Sequence, residues 1–240
     1  MNRFLISAAH RSSGKTVVSA GLATALTRRG HKVSTFKKGP DYIDPMWLGL
    51  ACGQPCWNLD FFTMGRDEIR ECFVRQSAGA DVVLIEGNKG LFDGLDVEGG
   101  DSNAALAKLL NIPVVLVIDV TGMTRGIAPL LSGYIAFDPE IRIAGVVLNR
   151  VAGPRQEHKL RAAIDRYTDL TVLGAIPRSE ELHIEERHLG LVTSAEHDQA
   201  DIWLGSVAKT VDAAVDIDKA KAGVNLSKVD IGKLISTSPY

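Results

Sequence analysis

Gly14-Lys15-Thr16, preceded by Ala8-Ala9-His10-Arg11-Ser12-Ser13, is the first group in this 240-residue chain whose types and spacing suggest chemistry. A Gly-Lys-Thr ending between a strand and a helix is a phosphate-loop pattern. Backbone N–H groups at the helix start face phosphate oxygens, and the helix dipole favours anions. Lys15 is then assigned to the β/γ oxygens of ATP and the Thr16 hydroxyl to Mg²⁺. Ser12, Ser13, Gly14 and Val17 complete the nucleotide side. Ala9 stands where the usual pattern has its first glycine, so the start of the loop is expected to avoid left-handed backbone. His10 either touches a phosphate or is a satisfied loop histidine.

Two more segments concentrate charge. Phe36-Lys37-Lys38-Gly39-Pro40-Asp41-Tyr42-Ile43-Asp44-Pro45 reads as a rigid loop, with the residues before each proline held extended. Lys37 or Lys38 can reach a transferring phosphoryl group, and Asp41 or Asp44 can bind Mg²⁺, which takes one or two carboxylates plus waters and phosphates. Ile85-Glu86-Gly87-Asn88-Lys89-Gly90-Leu91-Phe92-Asp93-Gly94 places Glu86 at a strand end, where a second Mg²⁺ ligand belongs. Its three glycines would let backbone approach a ligand. Substitution at Glu86 by Gln is expected to abolish turnover and to relieve carboxylate repulsion in the apo protein.

These loops need strands to carry them. Near-continuous apolar runs predict strands over Arg3–Ala8, Lys32–Phe36, Asp81–Ile85, Val114–Asp119, Ile143–Leu148 and Thr171–Ala175. Helices are expected over Lys15–Arg29, Arg66–Gln76, Ser102–Leu110, Thr124–Ala136 and Pro154–Tyr167. The alternation implies an α/β fold of the phosphate-loop NTPase type, a mostly parallel sheet flanked by helices. Ligands in such sheets sit at the carboxyl ends of strands. One domain is expected over 1–215, and a peripheral tail over 216–240.

Several of these segments together resemble the cobyrinic acid a,c-diamide synthase family. They are Gly39-Pro40-Asp41-Tyr42-Ile43-Asp44-Pro45, Asn58-Leu59-Asp60, Glu86-Gly87, Gly90-Leu91-Phe92-Asp93-Gly94, Gly145-Val146-Val147-Leu148-Asn149-Arg150 and Glu186-Arg187-His188-Leu189-Gly190-Leu191. The resemblance spans nearly residues 1–200. It implies a dethiobiotin-synthetase-like fold and an ATP-dependent amidoligase. A tetrapyrrole carboxylate becomes an acyl phosphate, and ammonia displaces the phosphate. By the same resemblance Thr16, Asp41 and Glu86 serve metal and phosphate, Asp93 the tetrapyrrole carboxylate, and Asn149, Arg150 and Pro177 the nucleotide. Tyr42, Asp44, Asn88, Lys89, Arg187 and His188 shape the substrate side. Family members carry a glutaminase domain after this one. None of Cys52, Cys56 or Cys72 lies in a glutaminase-like turn, so ammonia is expected from a separate or removed glutaminase domain. Asn88-Lys89 replaces apolar residues of the cobyrinate enzymes, and Glu185 replaces a proline. That variant resembles a sirohaem-amidating enzyme, so sirohaem or nickel sirohydrochlorin is an alternative substrate. A partition or Min-type regulatory ATPase and dethiobiotin synthetase are the competing readings.

The remaining composition agrees. Net charge is −2, which gives no footprint for nucleic acid, and no apolar run reaches the ~20 residues of a membrane helix. A cytoplasmic protein is expected, with a homodimer compatible. Three cysteines form no disulfide framework or zinc pattern, though Cys52 and Cys56 can share a helix face. His31, His158, His183 and His197 are read as surface residues. Trp47 and Trp57 either line a planar-ligand pocket or pack in the core.

Overall fold

The computed structural model describes residues 2–182, 186–187, 190–191, 193–195 and 199–224, with backbone alone at 186–187, 190–191 and 221–224. Seven parallel strands form one sheet. They are β1 (Asn2–Ala8), β2 (Val33–Lys38), β3 (Trp57–Leu59), β4 (Val82–Glu86), β5 (Val114–Asp119), β6 (Ile143–Val151) and β7 (Val172–Pro177). Their spatial order is β3-β2-β4-β1-β5-β6-β7. β1 is central, with Ile6 opposite Glu86 of β4 and Val115 of β5. The sheet is apolar on both faces because helices cover both, which is why its strands read as unbroken hydrophobic runs.

Phe4 and Ile6 point into one core and Leu5 into the other. The first core is closed by α1 (Lys15–Arg28), α2 (Ile43–Cys52), α7 (Ala200–Ala214) and α8 (Ile217–Val224). The second is closed by α3 (Arg66–Gln76), α4 (Asn103–Leu110), α5 (Ile127–Phe137) and α6 (Pro154–Tyr167). Helices α1 and α7 approach so closely that a Cβ on Gly21 would lie 2.5 Å from Val211. Trp203 of α7 meets Trp47 of α2 edge-on at 4.8 Å, and Arg29 just beyond α1 pairs with Asp212 of α7 at 2.6 Å.

Four expectations need correction, and Trp47 takes the core reading allowed for it. The segment through Pro45 is not loop throughout: α2 begins at Ile43, and Asp44 is helical despite the proline after it. A proline in the first helical turn lacks only an N–H that would be unpaired anyway. Strand β3 was unforeseen, since two of its three residues are exposed and Pro55 precedes it. Cys52 ends α2 and Cys56 follows it, so they share no helix face; burial pushes the Cys56 thiol up to about 12, leaving it unreactive. Trp47 is core, whereas Trp57 is partly exposed. Ile217 and Ala220 of α8 are buried in the first core, so packing runs past 216, where the tail was expected. The other predicted strands and helices hold to within about three residues at either end.

Candidate functional site

The phosphate loop follows β1 and ends on α1. Its left-handed backbone falls at Ser12 (φ 56°) and Gly14 (φ 91°), and Ala9 keeps φ negative as expected. Ser13 is buried and its hydroxyl donates to His10 O at 2.8 Å, while His10 Nδ1 lies 2.6 Å from Arg11 O. Both contacts fold the loop on itself. Asn149, at the end of β6, donates through Nδ2 to Ser13 O at 2.8 Å. A Cβ on Gly14 would sit 2.1 Å from that nitrogen, so glycine is required there by Asn149 as well as by φ. The amide expected to face the nucleotide base therefore braces the phosphate loop. Beside it, Arg150 (φ 60°) pairs with Asp119 at 2.6 Å. Pro177 is exposed at the end of β7, and Val17 is half-buried on α1.

Lys15 is 8% exposed, and its ammonium forms no ion pair with any described residue. Burial drives it down to about 8, with Glu86 and Asp44 opposing and Lys37 and Arg11 adding to the fall. Thr16 donates its hydroxyl to Glu86 Oε1 at 2.9 Å. That contact joins α1 to the end of β4, because β1 and β4 are neighbours in the sheet.

Lys37 is the surprise. It is fully buried, and its Nζ contacts Asp44 Oδ2 at 2.5 Å, Glu86 Oε1 at 2.8 Å and Gly87 O at 3.2 Å. All three donors are engaged. The cation expected to reach a phosphoryl group is instead the counter-ion of two carboxylates, and Asp44, expected to meet substrate, is one of them. Lys37 is held far up as an ammonium because Glu86 and Asp44 outweigh its burial. Burial raises the Glu86 carboxyl, against Lys37. Glu86 Oε2 is buried with no hydrogen-bond partner.

Asp41 lies alongside, its Oδ1 accepting the N–H groups of Ile43 (2.9 Å) and Asp44 (3.1 Å) at the start of α2. Burial and Asp44 raise its carboxyl. Tyr42 is exposed. Lys38 is buried and reaches Asp101 at 3.6 Å. Asp93 accepts the Gly90 N–H at 2.9 Å. Gly87 and Gly90 do not leave room for a ligand. Added Cβ atoms would lie 2.7 Å from Asn103 Oδ1 and 2.6 Å from Ala9 O, so internal packing explains both glycines. Asn103 went unnoticed in the sequence, although it grips this loop. The only signal was an asparagine beside the α4 cap Ser102. The Arg187 side chain and His188 lie outside the described residues.

The arrangement gathers a buried cation without an ion pair, a threonine hydroxyl and a carboxylate with an orphaned oxygen at the carboxyl ends of two adjacent strands, β1 and β4. Thr16 and Glu86, with Asp41 beside them, suit a hard divalent ion. An isolated buried charge is costly without a partner, so Lys15 calls for an anion.

Comparison with known proteins follows from this geometry. Residues 6–192 match the model of the CobQ/CobB/MinD/ParA nucleotide binding domain. The chain is 50% identical over 220 residues to the cobyrinate a,c-diamide synthase of Magnetococcus marinus, covering 92% of this chain and 47% of that one. It is 40% identical over 245 residues to the hydrogenobyrinate a,c-diamide synthase of Streptomyces coelicolor, covering 99% of this chain and 50% of that one. The chain thus spans about half the length of the curated relatives it matches. A signal recognition particle receptor, FtsY from Elizabethkingia anophelis, shares the fold with a TM-score of 0.55 at 14% identity, over 86% of this chain and 65% of that one. Among the described residues, no helix is long and apolar enough to cross a membrane.

Proposed function

The chain belongs to the CobQ/CobB/MinD/ParA nucleotide-binding domain family, and from that premise we propose that it is the activating part of an ATP-dependent tetrapyrrole amidoligase. The reaction class is a,c-diamide formation on acetate side chains. A substrate carboxylate oxygen attacks the γ-phosphorus, ADP leaves, and ammonia then displaces phosphate from the acyl carbon.

The observation that carries the reading is the convergence of Lys15, Thr16 and Glu86. Phosphoryl transfer between two anions needs positive charge between them. Lys15 supplies it, and among the described residues its ammonium forms no ion pair. Ser12, Ser13 and Gly14 offer the backbone N–H groups for phosphate. Mg²⁺ would be held by Thr16 and Glu86 with Asp41 nearby, and the unpartnered Oε2 of Glu86 supports that fit. When bound, the ion supplies further charge neutralisation. Lys37 favours the ionised form of Glu86 against its burial, and Lys38 stands near the mouth for the acid substrate. Asp93, Tyr42 and Asn88 border that side, and Arg187 and His188 belong to it by resemblance. Asn149, with Arg150 and Pro177, holds the nucleotide side. Ammonia comes from a glutaminase, in the same polypeptide or a separate partner. The protein acts in the cytoplasm, and a homodimer is compatible with these assignments.

The test is a single panel: cobyrinic acid, sirohaem and nickel sirohydrochlorin, each with ATP, Mg²⁺ and ammonium, read by product mass and ADP release. Amidated product from one of them is expected. ADP release indifferent to all three and to ammonium would replace the reading with a regulatory ATPase.

A further inference from the structure

The backbone after Glu86 is shaped by neutral amides. Asn103, fully buried at the start of α4, accepts the Asn88 N–H on Oδ1 at 3.0 Å. Its Nδ2 donates to Asn88 O at 2.5 Å, Gly90 O at 2.7 Å and Ser7 Oγ at 3.1 Å. Between the two gripped residues sits Lys89, at φ 50°. Left-handed backbone is uncommon for lysine. Asn88 Oδ1 holds it there by accepting the Lys89 N–H at 2.9 Å. Such strain persists only where the surroundings over-determine it, and it gathers at sites with a task.

The Lys89 side chain is half-buried, and among the described residues it has no carboxylate partner. Its charge bears on Lys38, whose ammonium is lowered first by burial and further by Lys89, against Asp101 and Asp60. Two cations thus lie within electrostatic reach of one another, with Asp101 3.6 Å from Lys38.

We infer that Asn103 is a positioning residue that sets Lys89 to bind a substrate carboxylate other than the one being activated. Polycarboxylates are then selected through a group that never reacts. The inference rests on the amidoligase reading and deepens it. It assigns the selection to Lys89 and the aim of Lys89 to a residue that touches no substrate.

The experiment compares the full chain with Lys89→Gly, Lys89→Arg and Asn103→Asp. The substrates are cobyrinic acid and a derivative whose non-reacting carboxylates are methyl esters, with ATP, Mg²⁺ and ammonium. The unaltered protein is expected to favour the free acid. Lys89→Gly should raise KM for the acid roughly 10–100-fold, the loss of one charge-assisted contact, and erase the preference over the ester. It should leave kcat and nucleotide affinity in place. Its melting temperature should hold or rise, because glycine accepts positive φ. Lys89→Arg should restore the preference. Asn103→Asp keeps the acceptor for Asn88 N–H and loses the donors, so KM should rise while affinity for a fluorescent nucleotide stays. An unchanged preference in Lys89→Gly overturns the inference, as does a parallel fall of nucleotide affinity and KM performance in Asn103→Asp, which marks a merely structural role. The preference is read on whichever tetrapyrrole of the earlier panel is amidated; if none is, the amidoligase reading itself fails, and this inference falls with it.

Discussion

Two buried polar clusters flank the end of β4, and they work by opposite means. Lys37, Asp44 and Glu86 form an ionic cluster in which one ammonium bridges two carboxylates. Ser7, Asn88 and Asn103 form a neutral one, in which amide and hydroxyl groups bond to backbone. Only one residue, Gly87, separates Glu86 from Asn88. In the ionic cluster the state of one member depends on the protonation of the rest, so it responds to pH and to an incoming cation. The amide cluster has no charge to lose. The division teaches that charge neutralisation and loop shape are assigned to different residues, although both lie within one loop's reach.

The largest effect should come from breaking the ionic cluster. Lys37→Met leaves Asp44 and Glu86 buried without a cation, and a loss of about 3–5 kcal/mol in urea unfolding is expected. A loss below about 1 kcal/mol would mean that a neutral cluster already exists in the folded state. Glu86→Gln should abolish turnover and lower the melting temperature. Asp44 does oppose the Glu86 charge, but Lys37 bridges the two carboxylates, so loss of that ion pair should outweigh the relieved repulsion.

Breaking the amide cluster should do less. Asn103→Ala removes three hydrogen bonds to backbone, with about 1.5–4.5 kcal/mol lost at roughly 0.5–1.5 kcal/mol net per bond. The sharper point is pH: the loss should be the same from pH 6 to pH 9, whereas the Lys37→Met loss should shrink as acid protonates the stranded carboxylates. Parallel pH profiles would erase the distinction drawn above.

Lys15 gives a smaller effect of opposite sign. Its folded-state value of about 8 lies below the ordinary 10.5, so folding disfavours its charge. The penalty is fully present below pH 8 and disappears as pH climbs towards 10.5. Lys15→Met should therefore stabilise the nucleotide-free protein at pH 7 by about 1–3 kcal/mol while eliminating turnover. Equal melting at pH 7 and pH 10 in the unaltered protein would contradict it. The mildest effect concerns binding. Glu86, Asp44, Lys37 and Arg11 face Lys15. Nucleotide affinity should be level below pH 8 and fall by up to about tenfold per pH unit above it, as binding must then take up a proton. Calorimetry in buffers of different ionisation heat reads that proton directly.

Much of this was legible in the sequence, for a physical reason. Strands covered on both faces leave long apolar runs, so β1, β4, β5 and β6 announce themselves. The Gly-Lys-Thr start of α1 is equally plain. What escaped depends on contacts between distant segments. Helix α2 hid behind Pro45, which reads as loop until its place in a first turn is known. Lys37 reads as a free cation until Asp44 and Glu86 are brought against it from a helix and a neighbouring strand. Asn149 and Asn103 carry no local signature, because their partners lie 136 and 15 residues away.

Helix α7 leans on the back of α1 and of α2 together, through Val211 beneath Gly21 and Trp203 against Trp47. Those two helices deliver Lys15 and Asp44 to the crevice. Acting as a splint, α7 fixes the angle between them from behind, so a chain cut before Ala200 would keep every ligand-bearing residue and still lose their alignment.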